Sequence, residues 1–274
     1  MNEPIMRSKT PLHLLWLMPL VMAALVSLRS AVAHEEAPCA LTLGQTNVQQ
    51  GSTLGNNLEI LSWNIQKASN AGWAEDLTTL AEGVDLAFIQ EASIEARIPE
   101  ALSLHSNFAR GYTTPGRETG VMTLSSSTPS VHCKFTSMEP WLGTPKATSV
   151  TEYRLENREE RLLTINLHAI NFDLGLQRFH SQFEALRTLL DRHRGPIIVA
   201  GDLNTWSGSR QDLVDTFMQE HGLGSVTFEP DLRTTAFGRA LDHIYVRGLR
   251  ASDARVIPVS SSDHNPLRVR LGFL

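Results

Sequence analysis

Four consecutive apolar residues, Ile197-Ile198-Val199-Ala200, run directly into Gly201-Asp202-Leu203-Asn204. A short continuous apolar run closed by a turn signal reads as a buried strand. Gly201 is expected to let the backbone turn sharply. Asp202 and Asn204 then project from the strand end, where layered α/β and β-sandwich scaffolds carry their chemistry. A carboxylate and an amide two residues apart suit a hard cation or a phosphate.

The rest of the chain repeats this arrangement. Leu58 to Ile65 alternates as a strand and ends near Trp63-Asn64. A short helix is expected over 74–81 and an apolar strand from Val84 to Gln90, with Glu91 following. Residues 120–124 and 148–155 read as sheet, and Arg161 to His168 as a strand ending on a histidine. Phe179, Phe183, Leu186, Leu189 and Leu190 fall at helical spacing within 176–193, and Gly195-Pro196 stops that helix. A polar helix is expected near 211–221, and strands at 241–246, 255–259 and 266–271. Many short strands with a few helices between them imply an α+β fold or a layered sandwich with helices outside.

With 274 residues, 42% of them hydrophobic, the chain suits one large domain or two small ones. A net charge of −5 argues against a dedicated nucleic-acid binder, though not against an enzyme that cleaves a phosphodiester and releases it. Two cysteines, Cys39 and Cys133, with no CxxC pair argue against a zinc–thiolate site. Arg7 and Lys9 precede an apolar run from Pro11 to Leu28, followed by Ala31-Val32-Ala33. This describes a secretory signal peptide over residues 1–33, cleaved after Ala33 into the periplasm or medium. The alternative is an uncleaved inner-membrane anchor over 11–28, which would associate the protein with a membrane. Export would allow Cys39 and Cys133 to pair; two free thiols are the equal alternative. Residues 34–56 are polar and read as a linker or extended arm, with the folded domain over 57–274.

Taken singly, Asn64 is a turn former, Glu91 a helix cap, His168 a structural histidine and Asp242 a surface carboxylate. Their joint order is what points to chemistry. Phosphodiester hydrolysis needs a cation on the phosphate oxygens, a base for water, and donors for charge in the transition state. Carboxylates with asparagines suit Mg²⁺ or Mn²⁺. His168 and His264 can supply proton transfers, and an acidic neighbour such as Asp242 or Asp263 would orient an imidazole.

The series SWNIQ (62–66), IQE (89–91), NLHAIN (166–171), GDLN (201–204), LDHIYV (241–246) and SDHNPL (262–267) resembles the endonuclease/exonuclease/phosphatase superfamily. The segments GVMTLSS (120–126), HAINFDLG (168–175) and AFGRALD (236–242) are similar to its YafD-like bacterial branch. The resemblance spans Leu58 to the C-terminus. It implies a four-layered α/β sandwich, two packed mixed sheets with helices outside. It also implies that Glu91 is the principal metal ligand, with Asn64 beside it and Asp263 touching the metal. By the same resemblance Asp202 and Asn204 orient water and hold phosphate, His264 is the general base, and Asp242 orients it. His168 contacts phosphate and assists proton transfer, joined by Asn171 and Asn204. His243 is expected to be structural.

Between Ser93 and Gly116 no second family glutamate stands out; Glu100 and Glu118 are weak candidates. Arg110, Arg117, Lys146 and Arg154 are scattered basics, more in keeping with solvated side chains than with a DNA-binding face. The resulting expectation is a monomeric, Mg²⁺- or Mn²⁺-dependent phosphodiesterase. A nucleic acid is the first expected substrate and a phospholipid, as for a sphingomyelinase, the second. An inositol-phosphate phosphatase and a non-catalytic binding protein are further alternatives.

Overall fold

A computed structural model describes residues 39–44 and 52–274. The expected leader, the alternative anchor and most of the expected arm lie outside the described residues. The described part of that arm is held down. Helix α1 (Cys39–Thr42) is joined to the domain by a Cys39–Cys133 disulfide with Cα atoms 5.8 Å apart. Leu54 forms a bridge with Leu155.

From there the chain runs β1 (Asn57–Asn64), α2 (Trp73–Leu80), β2 (Leu86–Ser93), β3 (His105–Thr114), β4 (Arg117–Ser125), β5 (Val131–Met138), β6 (Pro145–Arg154) and β7 (Arg161–His168). Then follow α3 (Gln177–Arg192), β8 (Ile197–Asp202), α4 (Gly208–Glu220), β9 (Gly224–Ser225), β10 (Thr235–Ala236), β11 (Arg239–Ala240), β12 (Asp242–Arg247), β13 (Leu249–Val256) and β14 (Leu267–Phe273). One six-stranded sheet has the order β13-β14-β1-β2-β4-β3, the other β5-β6-β7-β8-β12-β9. Each is antiparallel except for one central parallel pair, β1 with β2 and β7 with β8.

The expected α+β four-layered sandwich forms because each sheet is apolar on both faces. Leu58, Ile60, Phe88, Tyr153, Ile198 and Ile244 fill the space between the sheets. The outer face of the second sheet carries Ile165 and Val199, covered by Phe179, Phe183, Leu186 and Leu190 of α3 and by Phe217 of α4. The outer face of the first packs Leu61, Trp63 and Ile89 against Leu77 and Leu80 of α2. At about 25 cal/mol per Å² of apolar surface, each buried large side chain contributes roughly 1.5–3 kcal/mol.

Three local readings change. Gly201 does not turn the chain: it lies inside β8 at φ +148, and a Cβ there would meet the Leu167 carbonyl oxygen at 1.9 Å. The strand expected at 255–259 lies earlier, as β13, because Pro258 cannot extend the ladder. The second strand does not end at Gln90–Glu91 but continues to Ser93 through a register shift between Ile89 and Ala92.

Candidate active site

The carboxyl ends of the two central parallel pairs face one another, the position where open α/β sheets place ligands. Asn64 ends β1, Glu91 sits in the β2 bulge, His168 ends β7 and Asp202 ends β8. Across β7, β8 and β12 the ladder pairs His168 with Asp202 and Asp202 with Asp242, so three of the expected residues form one row. The bulge gives Glu91 a positive φ of 49°, which re-aims its side chain. Asn166 braces that bulge from the opposite sheet: it accepts from Gln90 Nε2 at 2.8 Å and donates to the Ile89 and Met122 carbonyls.

Asp202 is central and buried. Its Oδ2 accepts from Asn64 Nδ2 at 3.1 Å, and its Oδ1 accepts from the Asn204 backbone N–H at 3.0 Å. His168 Nε2 is 3.5 Å and His264 Nε2 3.9 Å from Oδ2. Burial raises the Asp202 carboxyl to about 6, with His264 opposing and Asp242 adding to the shift. Asp242 accepts from His264 Nδ1 at 2.7 Å. Burial pushes the His264 imidazole down, but the Asp242 charge and hydrogen bond, with Asp202 and Asp263, outweigh it and raise it to about 10. Two distant motifs fix this histidine's loop. Trp63 Nε1 donates to the His264 carbonyl, while the Ser262 hydroxyl donates to the Asn64 carbonyl and accepts from the His264 N–H.

Asn204 adopts a left-handed φ of 49° and donates to the Ala169 carbonyl at 3.0 Å. Asn171 is half-buried on the next loop, where its Oδ1 accepts from Trp206 Nε1 at 2.9 Å. Asp263 is exposed at the margin, its Oδ1 3.5 Å from the Ser262 hydroxyl. His243 is buried away from the cleft, between Thr205 at 2.6 Å and Arg233 at 3.1 Å. Glu100 pairs with Arg97 and Glu118 with Arg110, both on the surface.

Four residues that sequence reasoning passed over or discounted organise the cleft. Lys146 Nζ lies 2.7 Å from His168 Nε2 and donates to it. Burial and then the Lys146 charge hold that imidazole well below its usual range, so His168 is neutral. Lys67 Nζ lies 2.6 Å from Glu91 Oε2, aimed there by three successive left-handed residues, Gln66, Lys67 and Ala68. Each such non-glycine residue costs roughly 1–2 kcal/mol. Glu139, buried, accepts from the Asn171 and Phe172 N–H groups at 2.7 and 3.0 Å. Arg210, fully buried, lies 4.2 Å from the Phe179 ring centroid and 4.5 Å from that of Trp206. It donates to the carbonyls of Ile170, Asn171, Asp173 and Asn204, tying the two asparagine loops together. Only Arg210 left a signal: Val214, Phe217 and Met218 follow it at helical spacing, so it stands on the apolar face of α4.

Two donor sets suit a cation. Asp202, Asp242 and His264 offer ligand atoms within 4.8 Å of one another. That set mixes nitrogen with oxygen, and Asp242 and His264 already engage each other. The residues expected to hold a metal, Glu91, Asn64 and Asp263, carry side-chain oxygens of the kind Mg²⁺ or Mn²⁺ prefers, the Asn64 Oδ1 also accepting from the Gln66 N–H at 3.1 Å. A cation, the Lys67 ammonium, already stands on Glu91, so the site attracts positive charge. The donor chemistry of Glu91, a carboxylate that already faces an ammonium, fits a divalent ion.

The endonuclease/exonuclease/phosphatase family model matches residues 61–264, from the SWN strand to the terminal histidine. The chain belongs to this family. A UPF0294 protein from Vibrio cholerae is 37% identical over 278 residues, covering 94% of this chain and 98% of its own. A UPF0294 protein from Erwinia tasmaniensis is 37% identical, covering 78% and 81%. Among solved structures, a family member from Leptotrichia buccalis superposes with a TM-score of 0.63 at 15% identity, covering 79% of this chain and all of that one. A mannosyl-6-phosphatase from Bacteroides thetaiotaomicron gives 0.59 at 16%, covering 79% and 100%. The human Nocturnin catalytic domain with bound sulfate gives 0.59 at 16%, covering 82% and 97%. At these identities the superpositions establish the endonuclease/exonuclease/phosphatase fold alone.

Proposed function

We propose that the chain is a divalent-cation-dependent phosphodiesterase. The observation that carries this reading is the opposed pair of Asp202, held by Asn64 and Asn204, and His264, held by Asp242, at the mouth of the Glu91 site. A Mg²⁺ or Mn²⁺ ion bound by Glu91, Asn64 and Asp263 would supply charge neutralisation at the phosphate. The remaining chemistry belongs to the chain. Asp202 is an acceptor-only carboxylate whose Oδ2 faces both imidazoles, which suits it to orient a water and take its proton. His264 Nε2 points into the same space with Nδ1 committed to Asp242, so it donates to the developing phosphorane oxygen. This gives the base role to Asp202 rather than to His264. Neutral His168, with Asn204 and Asn171, lines the phosphate side.

Purified full-length chain should hydrolyse bis(p-nitrophenyl) phosphate with Mg²⁺ or Mn²⁺ and stop with EDTA. Asp202→Asn should lose ~10²–10⁴-fold. Full activity in EDTA, or in Asp202→Asn, would remove the proposal. The disulfide and the basic–apolar leader together support export to the periplasm or beyond, with the uncleaved anchor as the alternative. A nucleic acid and a phospholipid are the first two substrate classes to assay, with an inositol phosphate as the further alternative.

A further inference from the structure

Beside Glu91 and His168 a pocket of about 500 Å³ opens, lined also by Lys67 and Lys146 and by Tyr112, Leu142 and Phe172. It runs on, through Leu142, Asn171 and Phe172, into a second groove of about 380 Å³. The rest of that groove is Trp141, Leu174 and Trp206, and none of its lining residues is a lysine or arginine. Trp141 is 73% and Leu174 79% exposed. Phe237, 89% exposed, packs edge-on against Trp206 and continues the apolar rim. The loops are held out by buried anchors, Glu139 under residues 171–172 and Arg210 under 170–173, so these side chains do not collapse inward.

A large exposed apolar patch beside a site is unfavourable in water and marks a surface that meets another phase or molecule. A nucleic-acid strand needs a basic track interleaved with aromatic rings. Here Lys67 and Lys146 line the catalytic pocket, the lining of the apolar groove holds no lysine or arginine, and aliphatic Leu142 and Leu174 offer no stacking face. Charge at one end and hydrocarbon at the other is the layout of a phospholipid, and a rim of tryptophan and phenylalanine suits the bilayer interface. In the sequence the apolar run ending at Leu28 precedes Cys39 by 11 positions, at most roughly 40 Å of extended chain. A retained run would hold the domain at a membrane.

We propose that this rim seats the domain on a lipid bilayer and that the substrate is a membrane phospholipid, an inference that rests on the phosphodiesterase reading. The headgroup phosphate lies at Glu91 and His168, and the acyl-bearing side lies along Trp141, Phe172 and Leu174. In the reaction a water oxygen bonds to phosphorus and the P–O bond to the lipid alcohol breaks. The water proton passes to Asp202 and from there to solvent, and the leaving oxygen takes a proton from solvent water, so the products are a lipid alcohol and a phosphorylated headgroup.

The test uses the full chain in vesicles of phosphatidylcholine and phosphatidylglycerol with Mg²⁺. A Trp141→Ser/Leu174→Ser variant alters only groove residues outside the catalytic pocket. It should keep its turnover of bis(p-nitrophenyl) phosphate within twofold and lose at least tenfold in headgroup-phosphate release. Brominated acyl chains should quench the Trp141 fluorescence, read as the difference between wild type and Trp141→Phe. Undiminished lipid turnover in the variant overturns the proposal, as does an unquenched Trp141 in vesicle-bound chain. Cleavage of an oligonucleotide that the variant loses would overturn it in favour of a nucleic acid. If the wild type hydrolyses neither bis(p-nitrophenyl) phosphate nor lipid, the phosphodiesterase reading fails and the substrate claim falls with it, whereas the quenching still reads the docking surface independently.

Discussion

Asp242→Asn isolates the interaction on which the charge of His264 depends. Keeping this imidazole protonated up to about pH 10 instead of about 6.5 takes roughly 4–5 kcal/mol, at ~1.4 kcal/mol per pH unit. Asp242 contributes the largest favourable share, at 2.7 Å, with Asp202 at 3.9 Å and Asp263 adding the rest against burial. The substitution keeps the shape and removes the charge, so the variant histidine should titrate at or below 6.5. The folded state holds a proton that the unfolded state releases near pH 6.5, so this stabilisation is fully present below pH 6.5 and is lost as pH rises through about 10. Urea unfolding of the wild type in EDTA should therefore weaken by a few kcal/mol between pH 7 and 10, and the variant should lose that slope. Histidine side-chain NMR in EDTA reads the same proton directly. At pH 8 the variant should also turn over ~10²–10⁴-fold more slowly, with its imidazole neutral and free to take the wrong tautomer. A wild-type His264 resonance with its midpoint near 6.5 would refute the reasoning.

Glu91→Gln should weaken Mn²⁺ binding by tenfold or more, measured by electron paramagnetic resonance, while circular dichroism stays unchanged. Arg210→Met should cost ~2–4 kcal/mol in urea unfolding, because four carbonyls lose their buried donors, and should lower kcat through the loosened asparagine loops. Gly201→Ala should prevent accumulation of folded protein, since a methyl group cannot sit 1.9 Å from the Leu167 carbonyl oxygen without parting β7 from β8. Cys39→Ser should lower stability by about 2–4 kcal/mol, in line with a bridge closing a separation of 94 residues.

The motifs that ended apolar runs were legible because a strand end fixes both burial and direction. Asn64, His168 and Asp202 could thus be placed at strand ends, and Asp242 at a strand start, from the sequence. Helix α3 was legible because its apolar face keeps a single period over four turns. Strand β3 was not, as an edge strand with polar residues on most positions and only Ala109 and Gly111 buried along it. Strand β5 alternates fully in the structure, Val131, Cys133, Phe135 and Ser137 inward, but cysteine and serine disguise the pattern. Strand β13 is polar because it lies at the sheet edge and bulges between Ser252 and Arg255. Lys67, Lys146 and Glu139 were illegible for another reason. Their partners lie 24, 22 and 32 positions away, and nothing in local spacing encodes a contact between separate strands and loops.

The row of His168, Asp202 and Asp242 across three neighbouring strands has a consequence for how such a protein can change. Backbone ladders allow strands to slide only in whole-residue steps, and each single step turns a side chain to the opposite face. Loops that join the strands can lengthen or shrink by any amount. A single inserted or deleted residue inside any of the three strands would carry its polar side chain out of the cleft, or force its whole core face into water. Substrate preference can therefore drift through the loops at 139–145 and 170–176 while the three strand segments stay fixed in length, so relatives of different specificity should differ by gaps in the former and not in the latter.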